Sequence, residues 1–305
     1  MSLPGNYVVA IGPNDFDRYF ICKQPLIVGS KCVVDNVYNG IGGFIANASS
    51  VVSHLGIPTY LFDCVGYDEY GDEIIADLIS HKVLLDGIER GDYKNYLVDI
   101  YLSDNDRTCL IHDVDGRPGL SFSPKQRDIL NSAGYVYSCF SSLKKLDGYE
   151  SIVTNLVSKG VKFFFDAERT TFTSYEDEKF LFDSSTILSF NKNAYDHFIS
   201  TSGELAFKKL LENEERILLL TNGDKGTTIL KGGLKIFCPP FKVEAIDPSG
   251  AGDTFNGAFL YGYIKGWDLE RCGEFASLAS ARAVTLMGSR SGCASEEEIW
   301  EFGGR

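Results

Sequence analysis

One stretch of the chain concentrates residues able to do chemistry: Ala245-Ile246-Asp247-Pro248-Ser249-Gly250-Ala251-Gly252-Asp253-Thr254-Phe255-Asn256-Gly257-Ala258-Phe259. A turn rich in Pro, Ser and Gly leads into a helical run, with Asp253 in its first turn. The first amides of a helix lack intrahelical partners, so a loop poor in side chains that opens into one is an anion cradle. Gly250 and Gly252 let a phosphate reach the backbone with no Cβ in the way. An aspartate beside such a cradle can take the proton from an alcohol that attacks a phosphoryl group. Phosphoryl transfer is mostly positioning and charge stabilisation, so a weak carboxylate base suffices. General-base help is typically about 10²–10⁴-fold. A lone Gly-x-Gly-Asp would be explained by an acidic helix cap; the full segment is not.

Three further stretches carry candidate polar contacts. In Gly42-Gly43-Phe44-Ile45-Ala46-Asn47-Ala48, glycines at a helix start let a sugar approach the backbone, and Asn47 offers hydroxyls both a donor and an acceptor. A helix packed closely through Ala46, Ala48, Ser49 and Ser50 explains the same residues. Gly12-Pro13-Asn14-Asp15-Phe16-Asp17 follows an apolar run, and a carboxylate there suits two adjacent hydroxyls. Asp15 competes with Asp17 for that role, and a surface turn needs neither. Thr221-Asn222-Gly223-Asp224-Lys225-Gly226 permits a tight turn before residues 227–230.

The elements that position these residues follow from periodicity. Short apolar runs at 7–11, 59–62, 135–137, 161–165, 186–188 and 217–220 suit strands covered on both faces. Helical stretches lie between them, near 43–55, 70–81, 148–159, 203–212, 253–265 and 268–286. This order predicts an α/β fold with a largely parallel central sheet and right-handed crossovers. Segments 18–40 and 94–114 alternate β-branched and aromatic residues, and are expected to form a small sheet projecting as a lid. With no repeat or linker in view, one domain over residues 5–303 is expected, the lid inserted in its first half.

Composition removes several function classes. The 305 residues are 44% hydrophobic and 23% charged, as in an ordinary globule. Twenty-nine basic against 42 acidic side chains leave −13, which disfavours nucleic acid and anionic membrane as partners. No apolar run approaches the ~20 residues of a membrane span, and the N-terminus lacks signal-peptide regions, so the cytoplasm is expected. Eight scattered cysteines without a Cys-x-x-Cys pair read as reduced thiols, and four dispersed histidines suggest no zinc site. No Gly-x-Gly-x-x-Gly follows the first strand and no P-loop motif occurs, against a dehydrogenase or P-loop enzyme.

The 245–259 segment closely resembles the C-terminal signature of the PfkB, or ribokinase-like, carbohydrate kinases. The resemblance implies the three-layer α/β/α ribokinase fold with a β lid, and ATP and Mg²⁺ as cofactors. It implies Asp253 as catalytic base, Gly250, Ala251 and Gly252 as the anion hole, and a monovalent cation such as K⁺ beside the 247–249 loop, near Asp247. Gly42, Gly43 and Asn47 match the family's Gly-Gly-x-x-x-Asn helix, and Asp17 its sugar-binding aspartate. Val65-Gly66-Tyr67-Asp68-Glu69-Tyr70-Gly71 matches a structural segment. Thr221, Gly223 and Gly226 match the nucleotide loop, and the helix around 275–285 with Gly288 matches the adenine side.

Two departures stand out. Asn191-Lys192-Asn193-Ala194 keeps the asparagine of the family's Asn-x-x-Glu element but has Ala194 in place of its glutamate, leaving the magnesium ligands unassigned, with Asp166 or Glu168 available to help. Asp166-Ala167-Glu168-Arg169 partly matches an Asp-x-Asn-x-Arg element, where Arg169 could meet an acidic substrate or form a surface ion pair. The expectation is an ATP-dependent kinase acting on a hydroxyl, primary by preference, of a small carbohydrate, its lid either pairing with a second lid in a homodimer or standing as a monomeric flap. The alternatives are a nucleoside kinase, its base lined by Phe16 or Tyr101, and a sugar- or nucleotide-binding sensor with little turnover.

Overall fold

The computed structural model describes residues 5–103, 106–112 and 118–305. The apolar runs form the central sheet. Its parallel strands are β1 (Val8–Ile11), β4 (Thr59–Gly66), β5 (Ile88–Gly91), β8 (Tyr135–Ser138), β9 (Lys162–Asp166), β10 (Ile187–Asn191) and β11 (Ile217–Thr221). An antiparallel edge follows, β12 (Thr227–Lys231) and β13 (Leu234–Cys238), giving the order β13-β12-β11-β10-β9-β8-β1-β4-β5. A second sheet, ordered β3-β2-β6-β7, joins β2 (Asp15–Cys22), β3 (Val34–Gly42), β6 (Tyr96–Ser103) and β7 (Asp106–His112). The expected small sheet is therefore present, with residues 23–33 linking two of its strands; positions 104–105 and 113–114 of the expected 94–114 segment lie outside the described residues.

Side-chain alternation explains why both faces of the central sheet are covered. Val8 and Ala10 enter one core, and Val9 and Ile11 the other. The first core is closed by α1 (Phe44–His54), α2 (Gly71–Ser80), α8 (Ala251–Ile264), α9 (Leu269–Ala283) and α10 (Glu296–Phe302). The second is closed by α3 (Pro124–Asn131), α4 (Phe140–Lys144), α5 (Tyr149–Ser158), α6 (Lys179–Ser184) and α7 (Lys192–Glu212).

The sequence reading differs from this at identifiable places. The helix expected from residue 203 begins at Lys192, because Asn191 caps it by accepting a hydrogen bond from the Ala194 amide at 2.8 Å. Gly203 (φ 78°, ψ 168°) interrupts it, so 203–212 is its second limb. The last long helix stops at Ala283, short of residue 286, and the chain turns through Gly288 at φ 97°. Helices α3, α4, α6 and α10 were not expected, since each is too short for a clear apolar period. Two of them carry capping boxes, Ser123 with Gln126 and Ser295 with Glu298, which were legible signals.

This topology brings the carboxyl ends of the parallel strands to one side, where an open α/β sheet offers its crevice. Two glycines set the junction between β1, β3 and α1. A Cβ on Gly12 would meet the Ile45 side chain at 2.5 Å. Gly43, at φ 91°, would place one 2.5 Å from the Pro13 carbonyl oxygen. Gly56 is also left-handed, at φ 96°, but faces open space. Gly43→Ala should therefore cost about 3 kcal/mol, strain plus clash, and Gly56→Ala only about 1 kcal/mol. Urea denaturation reads the difference, and equal losses would refute it.

Candidate active site

Asp253 sits in the first turn of α8, after Gly250. Gly250 is left-handed (φ 74°), and a Cβ there would come 2.2 Å from the Ser289 carbonyl oxygen, so no other residue fits this turn. Nothing lies within 4 Å of a Cβ built on Gly252, which leaves the backbone open beside the helix start. The loop before it is tied down by Asp247, buried and accepting from the Ser249 amide at 2.8 Å and the Gly288 amide at 2.9 Å. The backbone expected to cradle an anion and the carboxylate expected to act as base thus share one support.

Asn47 reaches Asp253 from α1, donating through Nδ2 to Oδ2 at 2.7 Å. Asp17, on β2, lies nearby under Gly42: a Cβ on Gly42 would come 2.1 Å from its carboxylate, so that glycine makes room for the acid. Asp17 accepts hydrogen bonds from Tyr19 and Ser289, each at 3.2 Å. Desolvation pushes its carboxyl up to about 7, against the opposing hydrogen bonds from Ser289 and Tyr19. The same cause raises Asp253 to about 6, with the Asn47 hydrogen bond opposing and the Glu168 charge adding to the rise. Of the two candidates on this strand, Asp17 is the one that shares an environment with Asp253.

The nucleotide-side candidates gather at neighbouring strand ends. Asn191 and Thr221 are register partners on β10 and β11. Gly223 and Gly226 bracket a short turn at φ 52° and 86°, and Gly226 is buried against the Cys238 carbonyl. Asn191 Nδ2 donates to Glu168 Oε1 at 2.6 Å. Asp166 is buried at the end of β9, accepting from Asn256 at 2.9 Å and the Tyr137 hydroxyl at 3.1 Å. Burial first, and then the charges of Glu168 and Asp253, hold its carboxyl well above the usual range. Arg169 is exposed.

Ala194 is fully buried in the aromatic core with Phe190 and Phe198. A glutamate there would meet that core, while Glu168 brings a carboxylate to Asn191 from the adjacent strand. Ser289 and Arg290 were missed from sequence, because a Gly-Ser-Arg-Ser-Gly loop carries no periodicity. Arg290 is nonetheless the most connected side chain of the site: Nε donates to Asn47 Oδ1 at 2.9 Å and a second nitrogen to the Gly42 carbonyl at 2.6 Å, with Asp77 and Asn14 as further partners.

A raised folded-state pKa makes a carboxyl more protonated in the folded chain than in the unfolded one. For Asp17 the stability contribution is complete below its ordinary value of 3.8 and is lost as pH rises through about 7. The neutral isostere Asp17→Asn should therefore raise the melting temperature at pH 8, by roughly 3 °C or more, and gain nothing at pH 4. Melting curves at both pH values check this; a pH-independent difference would remove the assigned burial cost.

The comparisons with known proteins bear on the fold and the family. An uncharacterized sugar kinase of Archaeoglobus fulgidus is 26% identical, covering 79% of this chain and 97% of its own length. The nucleoside kinase of Methanocaldococcus jannaschii superposes with a TM-score of 0.81 at 19% identity, over 99% of both chains. The Arabidopsis thaliana ribokinase complexed with ribose and ATP superposes with a TM-score of 0.79 at 22% identity, also over 99% of both. The central sheet flanked by helices, with its separate smaller sheet, is thus the ribokinase fold. The model of the pfkB family carbohydrate kinases matches residues 6–297, and this phosphotransferase family is the one to which the chain belongs.

Proposed function

We propose that this chain transfers the γ-phosphoryl group of ATP to a hydroxyl, primary by preference, of a small carbohydrate. The observation that supports this most directly is Asp253 at the mouth of α8, held by Asn47 beside the Gly250–Gly252 backbone, with Asp17 across from it. Asp17 and the Gly42-Gly43 backbone take the sugar hydroxyls. Asp253 accepts the proton of the attacking hydroxyl, and the amides following Gly250 receive the charge on the transferred group. A pKa raised to about 6 brings the base closer to its working pH while leaving it ionised near neutrality.

ATP belongs to this proposal through Thr221, Gly223 and Gly226, and through the ribokinase complexed with ribose and ATP. Among the described residues no group of three or more His, Cys, Asp or Glu could hold a metal. Magnesium keeps its waters and binds mainly through nucleotide phosphates; it would supply charge neutralisation on those phosphates when bound. Glu168, held by Asn191, would be the side chain to meet its waters. The Ser249 hydroxyl is buried without a partner, which suits an oxygen-liganded K⁺ beside Asp247.

The nucleoside reading named Phe16 and Tyr101 as walls for a base. Both alternate onto the face of the small sheet opposite Asp17, where Phe16 stacks on Tyr70 and Tyr101 on Phe20. The sensor reading rested on Ala194, and the Glu168–Asn191 pair weakens it. The lid also exposes Val37, Tyr38, Leu110 and Ile111, apolar surface that a second lid would cover in a dimer; sedimentation at micromolar concentration should give twice the chain mass, and a monomer would refute that pairing.

The activity is tested by ADP formation from ATP and magnesium over sugars, sugar acids, amino sugars and nucleosides. Turnover on sugars is expected, lowered at least about 10²-fold in Asp253→Asn. Undiminished turnover in that variant would remove Asp253 as base. Silence across the panel with ATP still bound in calorimetry would favour the sensor.

A further inference from the structure

We infer that Arg290 is the positioning residue for the base: its guanidinium decides which way the Asn47 amide faces, and so makes Asn47 a donor to Asp253. The inference rests on the proposed role of Asp253 and extends it to the loop after α9.

A primary amide is nearly symmetrical in shape, and its two ends exchange by a half-turn about the last side-chain bond. Only its partners choose between them. A guanidinium can donate and never accept, and an ionised carboxylate can accept and never donate. Arg290 Nε lies 2.9 Å from one end of the Asn47 amide, and Asp253 Oδ2 lies 2.7 Å from the other. Arg290 therefore requires oxygen on its own side, which turns Nδ2 toward Asp253. The reversed amide would face donor against donor at one end and acceptor against acceptor at the other.

Arg290 can impose this because it is itself immobile. Its side chain is 3% exposed. Its nitrogens bond the Gly42 carbonyl at the end of β3, Asn14 after β1 and Asp77 on α2. A lysine keeps the charge but has no planar fork to span these partners.

The charged groups around the base come from several elements. Glu168 follows β9, Arg107 stands on β7, and Arg290 adds its own charge besides its bond to Asn47; Asp17 on β2, and Asp166 with Tyr137 in the central sheet, complete the set. Around Arg290 stand Asp77 and His81 of α2, with Cys293 beyond.

The experiment needs no substrate. Aspartate carboxyl carbons are labelled with ¹³C, the Asp253 resonance is assigned by its loss in Asp253→Asn, and its titration is followed by NMR. The wild-type midpoint is expected at about 6. In Arg290→Met it should rise by about one pH unit, and in Asn47→Leu it should move the same way. The Arg290→Lys/Asn47→Leu double variant, which keeps the charge, should move no further than the larger of its two single shifts, because the guanidinium's orienting effect runs through the amide. Arg290→Lys separates charge from orientation and should retain at least half of the Arg290→Met shift. If Arg290→Met does not melt cooperatively, Arg290→Lys and Asn47→Leu carry the same cycle.

An unmoved midpoint in the Arg290 variants, or additive shifts in the double variant, overturns the inference. The ADP-release assay separates this failure from that of the proposed function. Turnover that survives Asp253→Asn while the NMR shifts occur removes the base assignment and leaves the positioning relation standing. Lost turnover in Asp253→Asn with an unmoved midpoint in the Arg290 variants removes the positioning relation alone.

Discussion

Four carboxylates, those of Asp17, Asp166, Asp247 and Asp253, share one end of the central sheet, and keeping them there against their desolvation is the constraint on which the arrangement turns. An uncompensated buried charge costs several kcal/mol, so each must be given donors. The donors come from across the chain. Asp17 depends on Ser289, Asp253 on Asn47, Asp166 on Asn256 and Tyr137, and Asp247 on the amides of Ser249 and Gly288. The polar site and the fold are therefore stabilised or lost together, although hydrophobic burial supplies most of the driving force. Burial is also what raises the pKa values of Asp17, Asp166 and Asp253, so the feature that costs stability shifts their titration.

The loop 288–290 is where these requirements meet. Its Gly288 amide closes the Asp247 turn, its Ser289 carbonyl packs where Gly250 has no side chain, and its Ser289 hydroxyl reaches Asp17. The loop is short and only residues 284–287 separate it from α9, so the helix packing against α8 helps set its position. Close approach replaces covalent linkage here. Around Asp17 and Asp253, backbone or acid comes so near Gly42, Gly43 and Gly250 that a methyl group has no room. Packing that tight leaves side chains few alternative rotamers, which is what a site built for positioning needs.

Much of this was legible in the residues. Continuous apolar runs gave the buried parallel strands, because a strand covered twice has no polar face to show. The segment around Asp253 was legible because glycines, a proline and one acid in that order answer a backbone requirement. Arg290 was not legible. Its partners are Asn14, Gly42, Asn47 and Asp77, separated from it by more than two hundred residues, and no local pattern encodes such a contact. The helix after Asn191 was hidden for a different reason. Its apolar period is broken at Gly203, so only the later limb kept a helical pattern. Phe16 and Tyr101 stand out in the sequence by aromatic character alone, and strand alternation turns both to the face of the small sheet opposite Asp17.

Ala194 has a spatial setting that the stretch 191–194 alone does not carry. The absent glutamate suggests a lost function when the stretch 191–194 is taken alone. In space, Asn191 does two jobs: Oδ1 caps α7 through the Ala194 amide, and Nδ2 holds Glu168. Asn191 and Glu168 stand at the ends of adjacent parallel strands, where β10 pairs with β9. Glu168, just after β9, thus brings a carboxylate to Asn191, while position 194 is buried in the aromatic core. That carboxylate adds local charge: Glu168 raises the pKa of Asp253 and Asp166 together. Arg107, from the lid strand β7, opposes that rise at both Glu168 and Asp253. The electrostatics of the base are thus set partly by the small sheet, so lid and crevice form one electrostatic unit even though their hydrophobic cores are separate.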